Sequence, residues 1–232
     1  MHVGKTGGTS ITKAIADAHA AGAHVPLVLN HKWTMPMARV RYPTAKLAVV
    51  LRDPLERIVS GFNDRLRQSS DEGPIVWTSD EAAAFGFFAS SDEFLKAILT
   101  GNSRSRSAVR FAMGAVRHLR RGYVHHFVSP DYVRANAHRF YCIGDIARLP
   151  AFFDRLLRPL NPGGGNYAAY LARHNSAQDG GSGLQGFEAR DLQVLRAFFA
   201  AEYAIHDGLR ALSEAEGREQ VDSGLCATPS GA

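Results

Sequence analysis

A chain of 232 residues, 45% of them hydrophobic, is long enough to bury the core of a single α/β domain. The 27 Lys and Arg residues exceed the 22 Asp and Glu residues, and the formal charge of +5 favours an anionic partner such as phosphate, sulfate, an acidic glycan or nucleic acid. The chain has only two cysteines and no signal-peptide pattern, which argues against a disulfide-rich secreted protein. It also has no apolar run of ~20 residues, which argues against a membrane protein, so we expect a cytoplasmic protein without a transmembrane segment.

Strand and helix patterns alternate through the first half of the chain. In order, they predict a strand end at 1–3, a glycine-rich turn at 4–10, a helix from Ile11, strands at 25–29 and 46–51, and a helix from Pro54 to Leu66. Strands that alternate with helices in this way usually form a parallel sheet. We therefore predict an α/β fold with a central parallel sheet and helices on both faces.

The second half of the chain has weaker patterns. They predict one or two helices at 79–100, a basic stretch at 101–127, a strand at 140–143, a helix over 152–160, a long glycine-rich loop at 159–186 and a helix at 187–212. Residues from 213 onward are small and polar. We therefore expect one domain over residues 1–212 and a disordered C-terminal tail over 213–232.

The glycine-rich turn has the composition of a phosphate-binding loop. It reads Gly4-Lys5-Thr6-Gly7-Gly8-Thr9-Ser10. A turn of this kind between a strand and a helix brings backbone N–H groups and the positive end of the helix dipole to one point. The lysine adds a positive charge, and the three hydroxyls add hydrogen-bond donors. A capped helix with a flexible entry is the alternative, but two consecutive glycines after a lysine are more than a cap requires.

Two families of phosphate loop fit this turn to different degrees. A nucleoside-triphosphate loop, G-x-x-x-x-G-K-[ST], would end at residues 4–6, but its first glycine would lie before the start of the chain. The string K-T-G-G-T-S is complete. The segment HVGKTGGTSI resembles the phosphosulfate-binding loop of the sulfotransferases that use 3′-phosphoadenosine 5′-phosphosulfate (PAPS), in particular the carbohydrate branch of the heparan and chondroitin type. Gly4 departs from that family, which often has proline there.

A second motif follows the third predicted strand. The segment VVLRDPLERIVSGF, residues 49–62, resembles the 3′-phosphate motif of the same family, in which a strand is followed by R-D-P and by Arg and Ser on the next helix. The resemblance implies that Arg52 and Ser60 bind the donor, because an arginine at a strand end and a serine on the following helix can meet at one phosphate. The helical period leaves Ser60 on the polar side of this helix, together with Arg57 and Asp64.

Weaker similarity to the family extends to FYCIGDIARLPAFFDRLL and to RHNSA near the end of the chain. The resemblance implies a P-loop-like three-layer sandwich with a central parallel β-sheet flanked by helices. It also implies that PAPS is the sulfuryl donor and that the reaction needs no metal. The implied donor ligands are Lys5, Thr6, Gly7, Gly8, Thr9, Ser10, Arg52 and Ser60.

Sulfuryl transfer needs a base for the proton of the acceptor hydroxyl and positive charge near the leaving phosphate. Lys5 is the natural stabiliser of that charge. We nominate His31 as the base, because it follows the second predicted strand and so should emerge at the same sheet edge as the loop, and because histidine titrates near neutral pH. His2, His125 and His126 are its rivals.

The acceptor is a hydroxyl, which the resemblance places on a carbohydrate. The basic stretch from Arg104 to His126 is the best candidate for contacting an acidic glycan, although a solvated helix face is the commoner fate of such a run. Within the glycine-rich loop, Arg173, His174 and Asn175 either close over donor or acceptor or belong to a surface loop without function.

Three alternatives remain at the level of the sequence. An ion pair between Asp53 and Arg57 would explain R-D-P by joining the strand to the helix. A nucleotide kinase would need an acidic residue at a strand end to hold magnesium, and Asp53 is the only nearby candidate. A non-catalytic protein that binds nucleic acid or another anionic polymer would be expected to interleave aromatic residues with its basic run, and these are missing, so we expect no nucleic-acid partner.

Overall fold

The computed structural model describes residues 1, 3–68, 76–172 and 183–225, with 216–225 described by their backbone alone. Over these residues the protein is mixed α/β and mostly helical, with one small parallel sheet. The strands are β1 (Leu47–Leu51) and β2 (Phe140–Asp145). The α-helices are α1 (Gly8–Ala20), α2 (Met35–Arg41), α3 (Pro54–Arg67), α4 (Ser79–Phe87), α5 (Ser91–Thr100), α6 (Ser103–Ala115), α7 (Tyr123–Phe127), α8 (Pro130–Ala135), α9 (Leu149–Leu157), α10 (Tyr167–Ala172), α11 (Ala189–Phe198) and α12 (Ala200–Leu225).

Both faces of the sheet are covered by helices. The two strands pair in parallel, with Val49 opposite Ile143. Successive side chains of a strand point to opposite faces of the sheet. Accordingly, Val49 and Ile143 pack in one core with α2, α7, α8 and α12, whereas Val50 and Cys142 pack in another with α1, α9 and α10. Because the strands are parallel, both reach their carboxyl ends at the same edge.

Two of the predicted strands form and two do not. The strands predicted at 46–51 and 140–143 are confirmed by β1 and β2. The strand predicted at 25–29 is wrong, since this segment has no regular secondary structure, and no described residue before α1 belongs to a strand. Pro26 removes one backbone donor from the segment. In addition, a cavity of about 440 Å³ with mostly aliphatic walls lies between this segment, α1 and β1. The described part of the sheet therefore has two strands.

Helices form in the regions where they were predicted, but several of their boundaries differ from the prediction. The region 79–100 holds two helices, α4 and α5, because Ser90 begins a new helix by capping it with its side chain. The predicted loop at 159–186 contains α10. The single helix predicted at 187–212 is two helices, α11 and α12, which are separated at Phe199. Helix α12 continues to Leu225, past the predicted boundary at 212, and its Ala and Glu residues are good helix formers; residues 226–232 lie outside the described part. No described helix is both long and apolar enough to cross a membrane.

Helix α3 packs on the largest core cluster with one face and against the chain segment that carries His118 with the other. Its apolar residues pack against α4, α5 and α6. Asp53 begins the helix by accepting hydrogen bonds from two first-turn amides, at 2.9 and 3.2 Å. The opposite face brings Arg57, Gly61 and Asp64 against His118. These three positions are spaced i, i+4 and i+7, so they lie on one side of the helix.

Candidate functional site

A polar cavity of about 670 Å³ lies at the edge where both strands end. Open parallel sheets bind their ligands beyond the carboxyl ends of the strands. Seven residues predicted from the sequence line this cavity, namely Lys5, Gly7, Gly8, Thr9, Ser10, His31 and Arg52. The basic stretch contributes Arg117 and Arg121. Four further polar residues were not predicted to bind a ligand, namely Asp64, Arg67, Gln68 and His118.

The turn before α1 presents backbone amides to the cavity. Its N-cap, Gly7, has a left-handed φ of 79°, which favours glycine, and a β-carbon there would lie 3.1 Å from Cδ2 of Leu149, so a larger residue would also force Leu149 to shift slightly. Lys5 is also left-handed, with a φ of 67°, which costs a residue with a side chain on the order of 1 kcal/mol. No side chain caps the start of α1 within the described residues. An anion in the cavity could therefore supply the missing acceptor.

Lys5, Asp64 and His118 form a chain of contacts across the cavity. Nζ of Lys5 lies 3.1 Å from Oδ1 of Asp64, and Nδ1 of His118 lies 3.3 Å from Oδ2 of the same carboxylate. Burial alone would raise the pKa of Asp64, but the contact from His118 and the charge of Lys5 outweigh it and hold the pKa at about 2. Asp64 is therefore ionised at neutral pH and has two partners at once.

Arg52 connects the two sequence motifs. Its backbone is fixed at the end of β1 by the hydroxyl of Tyr123, which accepts from the Arg52 N–H at 2.9 Å and donates to the Arg52 carbonyl at 2.8 Å. Its guanidinium donates to the Lys5 carbonyl at 3.5 Å and lies 3.6 Å from the carboxylate of Glu56. The arginine of the second motif thus contacts the lysine of the first.

Asp53 and Arg57 have separate partners, so the ion pair considered from the sequence does not form. Asp53 accepts from the hydroxyl of Tyr203 at 2.9 Å in addition to capping α3. Arg57 is buried, donates to the His118 carbonyl at 3.0 Å, and lies 3.7 Å from a carboxylate oxygen of Glu202. Arg57 therefore supports the chain segment that carries His118.

Two of the predicted donor ligands do not line the polar cavity. Thr6 is buried, and its hydroxyl donates to the Val3 carbonyl at 2.8 Å, so its side chain ties the loop to the core. Ser60 is 7% exposed, and its hydroxyl has no hydrogen-bond partner among the described residues. Ser60 does lie on the α3 face with Arg57 and Asp64, as the helical period predicts, but Ser60 itself is buried and only Asp64 of the three lines the cavity.

The cavity contains two histidines. His31, the predicted base, lies in the turn that follows residues 23–30, and its ring centroid is 6.5 Å from that of His118. Burial lowers the pKa of His31, and repulsion from nearby cationic groups, Arg121 foremost, lowers it further. His31 is therefore neutral at pH 7, in surroundings that oppose a positive charge.

The other candidate histidines lie away from the cavity or outside the described residues. The imidazole of His126 is buried, with Nδ1 2.9 Å from the Trp33 carbonyl oxygen, which is a structural role. His125 does not line the cavity. His2 lies outside the described residues.

Only the last part of the basic stretch reaches the site. Arg117 and Arg121 line the cavity, and the Arg117 amide donates to Glu81 at 3.1 Å. The remaining arginines that begin the stretch belong to α6 and do not line it: Arg104, Arg106 and Arg110. The residues predicted to close over the site lie outside the described part of the chain: Arg173, His174 and Asn175.

The sequence contained a partial signal for one of the missed residues. Asp64 falls on the polar side of α3 once the helical period is drawn, one turn beyond Ser60, and a charged residue there faces whatever packs on that side. His118 has no local signal, since it is one histidine in a basic run, and only the fold brings it to Asp64. The described residues contain no cluster of three or more His, Cys, Asp or Glu side chains able to hold a metal.

No protein-family model matches this chain, and the comparisons with curated proteins and with solved structures found no match. Functional inference therefore depends on two things. One is the resemblance of the two short motifs to the sulfotransferases. The other is the geometry and charge of the polar cavity in which the residues of those motifs meet.

Proposed function

We propose that the protein is a sulfotransferase that transfers a sulfuryl group from PAPS to a hydroxyl of a carbohydrate. The observation that carries the proposal is that the two motifs meet at one cavity, where the Arg52 guanidinium reaches the Lys5 carbonyl. The proposal includes the P-loop-like three-layer sandwich as the fold, with β1 and β2 belonging to its central sheet. Helices on both faces of these strands support that assignment.

The charge of the cavity suits a nucleotide that carries phosphate and sulfate. Among the described residues, five cationic side chains line it against one carboxylate, that of Asp64; the cations are Lys5, Arg52, Arg67, Arg117 and Arg121. An excess of one charge in a cleft raises the local concentration of ligands of the opposite charge. The volume of about 670 Å³ is in the range of roughly 300–1,000 Å³ that is usual for small-molecule sites.

Each motif is proposed to hold one end of the donor. Lys5 and the amides that begin α1 would hold the 5′-phosphosulfate, and Arg52 would hold the 3′-phosphate. Thr6 would contribute its backbone amide, since its hydroxyl is engaged by Val3. Ser60 keeps its proposed role as a phosphate ligand because its buried hydroxyl lacks a partner among the described residues.

The chemistry assigned to the chain is positioning, charge stabilisation and proton removal. The donor supplies the activated sulfuryl group. Lys5 and the loop amides would stabilise the negative charge that develops on the leaving phosphate, so the scheme needs no metal. A histidine of the cavity would take the proton of the acceptor hydroxyl; the sequence nominates His31, and the geometry adds His118.

The cations away from the loop favour an acidic acceptor. Arg67, Arg117 and Arg121 line the cavity without belonging to either donor motif. Guanidinium groups bind carboxylate and sulfate in a bidentate manner. We therefore propose a glycan that already bears carboxylate or sulfate groups as the acceptor.

The deciding experiment is calorimetric titration with 3′-phosphoadenosine 5′-phosphate, the product nucleotide, beside ATP with magnesium. Lys5→Ala and Arg52→Ala are expected to lower affinity for the bisphosphate at least tenfold each, because charged hydrogen bonds contribute about 1.5–3 kcal/mol. Lys13→Ala is the matched control, since Lys13 is an exposed lysine of α1 that does not line the cavity. Preference for magnesium-ATP would favour a kinase instead, and binding of neither nucleotide by folded protein would contradict the proposal.

A further inference from the structure

We infer that His118 is the general base of the transfer and that Asp64 is the residue that positions it. The inference rests on the proposed function and names two residues that lie outside both donor motifs. Its geometric basis is the contact of 3.3 Å between Nδ1 of His118 and Oδ2 of Asp64 inside the polar cavity.

The contact with Asp64 determines which nitrogen of His118 can accept a proton. An ionised carboxylate only accepts hydrogen bonds, so neutral His118 facing it keeps its proton on Nδ1. Nε2 then carries the lone pair and can remove a proton from a hydroxyl. At 3.3 Å the pair does not have hydrogen-bond geometry in this structure, and Nδ1 of His118 has no hydrogen-bond partner among the described residues. Catalytic contacts without substrate are often long and tighten in the reactive complex.

Charge distinguishes His118 from His31. A base becomes positive as it takes the proton, and the positive charges of Arg121, Lys32 and Arg117 lie near enough to His31 to oppose this. His118 shares the cavity with Lys5, His31, Arg117 and Arg121, but it also has the carboxylate of Asp64, which offsets the new charge. The transition state is therefore stabilised at His118 and opposed at His31.

The backbone of His118 is held from two sides. Buried Arg57 donates to its carbonyl at 3.0 Å, and the amide of the preceding residue, Arg117, donates to Glu81 at 3.1 Å. Gly61 lets α3 approach closely, because a β-carbon there would lie only 3.0 Å from Cβ of His118. The ring is thus placed by packed protein, which is what a catalytic group requires.

The step is balanced as follows. A lone pair of the acceptor oxygen forms the new S–O bond, while the S–O bond to the 5′-phosphate breaks and its electron pair leaves with that phosphate. The proton of the acceptor hydroxyl moves to Nε2 of His118 and afterwards to solvent. No oxidant, reductant or further reactant is needed.

The test compares His118→Asn, Asp64→Asn and His31→Asn, with His125→Asn as the matched control outside the cavity. Turnover is measured as release of 3′-phosphoadenosine 5′-phosphate from PAPS with unsulfated heparosan and chondroitin as acceptors. His118→Asn is expected to lower kcat about 10²–10⁴-fold with little change in KM for PAPS, because general base catalysis contributes that much. Asp64→Asn is expected to lower kcat roughly 10–100-fold, as positioning partners do.

A pH profile separates catalysis from structural support. The acid limb of kcat in the wild type should disappear in His118→Asn and persist in His31→Asn. The inference would be overturned if His118→Asn kept the kcat of the wild type, or if the acid limb were lost only in His31→Asn. Either outcome would leave the proposed function intact. Failure of the wild type to bind the bisphosphate would overturn the proposed function itself.

Nitrogen-15 NMR of His118 needs no acceptor. The neutral ring is expected to carry its proton on Nδ1 in the wild type and to lose that preference in Asp64→Asn. A neutral wild-type ring protonated on Nε2 would overturn the inference, whatever the turnover assay shows.

Discussion

Helix α3 carries two buried arginines whose surroundings differ. Every guanidinium nitrogen of Arg65 has a hydrogen-bond partner. Nε and Nη2 donate to the two oxygens of Glu81 at 2.9 and 2.5 Å, and Nη1 donates to Gln68. Arg57 is equally buried, yet it lies 3.7 Å from Glu202, donates one bond to the His118 carbonyl, and leaves its Nε without a hydrogen-bond partner among the described residues.

The difference shows how one helix serves both the core and the site. The bidentate pair of Arg65 and Glu81 joins α3 to α4 in a fixed geometry, as two parallel charged bonds do. Arg57 instead lies beneath His118 with looser contacts. We therefore expect changes at Arg65 to act mainly on stability and changes at Arg57 to act mainly on activity.

The largest effect is expected from Arg65→Met. It leaves the buried carboxylate of Glu81 without its partner, and breaking a buried pair in this way costs about 3–5 kcal/mol. The free energy of unfolding is measured by urea titration. Arg65→Met with Glu81→Leu is the control and should recover most of the loss, because no charge is then left buried alone. A single variant that loses less than ~1 kcal/mol would contradict the role given to this pair.

Acid should weaken the protein through Glu81 and Asp64. Burial opposes ionisation of Glu81, but Arg65 and the amides of Arg117 and Thr78 outweigh it and hold its pKa at about 2, below the ordinary 4.5. The pKa of Asp64 is held at about 2, below 3.8. Both carboxylates bind protons less tightly when folded, so their stabilisation is present above the ordinary pKa and is lost as pH falls from about 4.5 to 2.

The carboxylates of Glu81 and Asp64 should each contribute on the order of 2 kcal/mol to the free energy of unfolding, and this contribution should be lost between about pH 4.5 and 2. Urea titrations at several pH values between 7 and 2.5 measure the loss. The double variant Arg65→Met, Glu81→Leu should retain only the part of this acid dependence that is due to Asp64. An unchanged acid dependence in that variant would show that Glu81 is not the responsible group.

A smaller loss of stability, about 1–2 kcal/mol, is expected from Arg57→Met. Glu202 stays satisfied, because it also accepts from the amides of Tyr123 and Val124 at 2.6 and 3.2 Å. Turnover should fall much more than stability, since His118 loses the donor to its carbonyl. Equal losses of stability in Arg57→Met and Arg65→Met would remove the distinction between the two arginines.

The smallest effect on stability is expected from Ser60→Ala, in the turn of α3 between the two arginines. Its buried hydroxyl has no partner among the described residues, so its removal should change the free energy of unfolding by less than ~0.5 kcal/mol. If Ser60 binds the 3′-phosphate, affinity for the bisphosphate should nevertheless fall about tenfold. A large loss of stability without nucleotide would show that the hydroxyl is bonded within the protein.

The sequence predicted those parts of the site that depend on local backbone geometry. Glycine is favoured at the left-handed position of Gly7, and an arginine that directly follows a buried strand must emerge at its carboxyl edge. For this reason the loop and Arg52 were predicted together, and they line one cavity. His31 also lines it, although the strand from which its position was predicted does not form. Apolar runs likewise predicted β1 and β2.

The parts that were missed depend on contacts between distant segments. The apolar pattern of 25–29 suits a strand, but pairing needs a neighbour, and a cavity lies where one would be. The contact between His118 and Asp64 arises because α3 and the end of the basic stretch pack together, which no local pattern encodes. Thr6 resembles a ligand in sequence, yet its hydroxyl bonds to Val3.

Asp64 offers one oxygen to Lys5 and the other to His118, so occupancy of the phosphate side is linked to proton binding. A ligand that draws Lys5 away removes one of the contacts that hold the pKa of Asp64 at about 2, so this pKa rises towards its ordinary value. Linkage of this kind is reciprocal, so protonation of Asp64 strengthens anion binding by the same factor. Below about pH 4, nucleotide binding should therefore take up protons from the buffer, and its measured enthalpy should vary with the ionisation heat of the buffer.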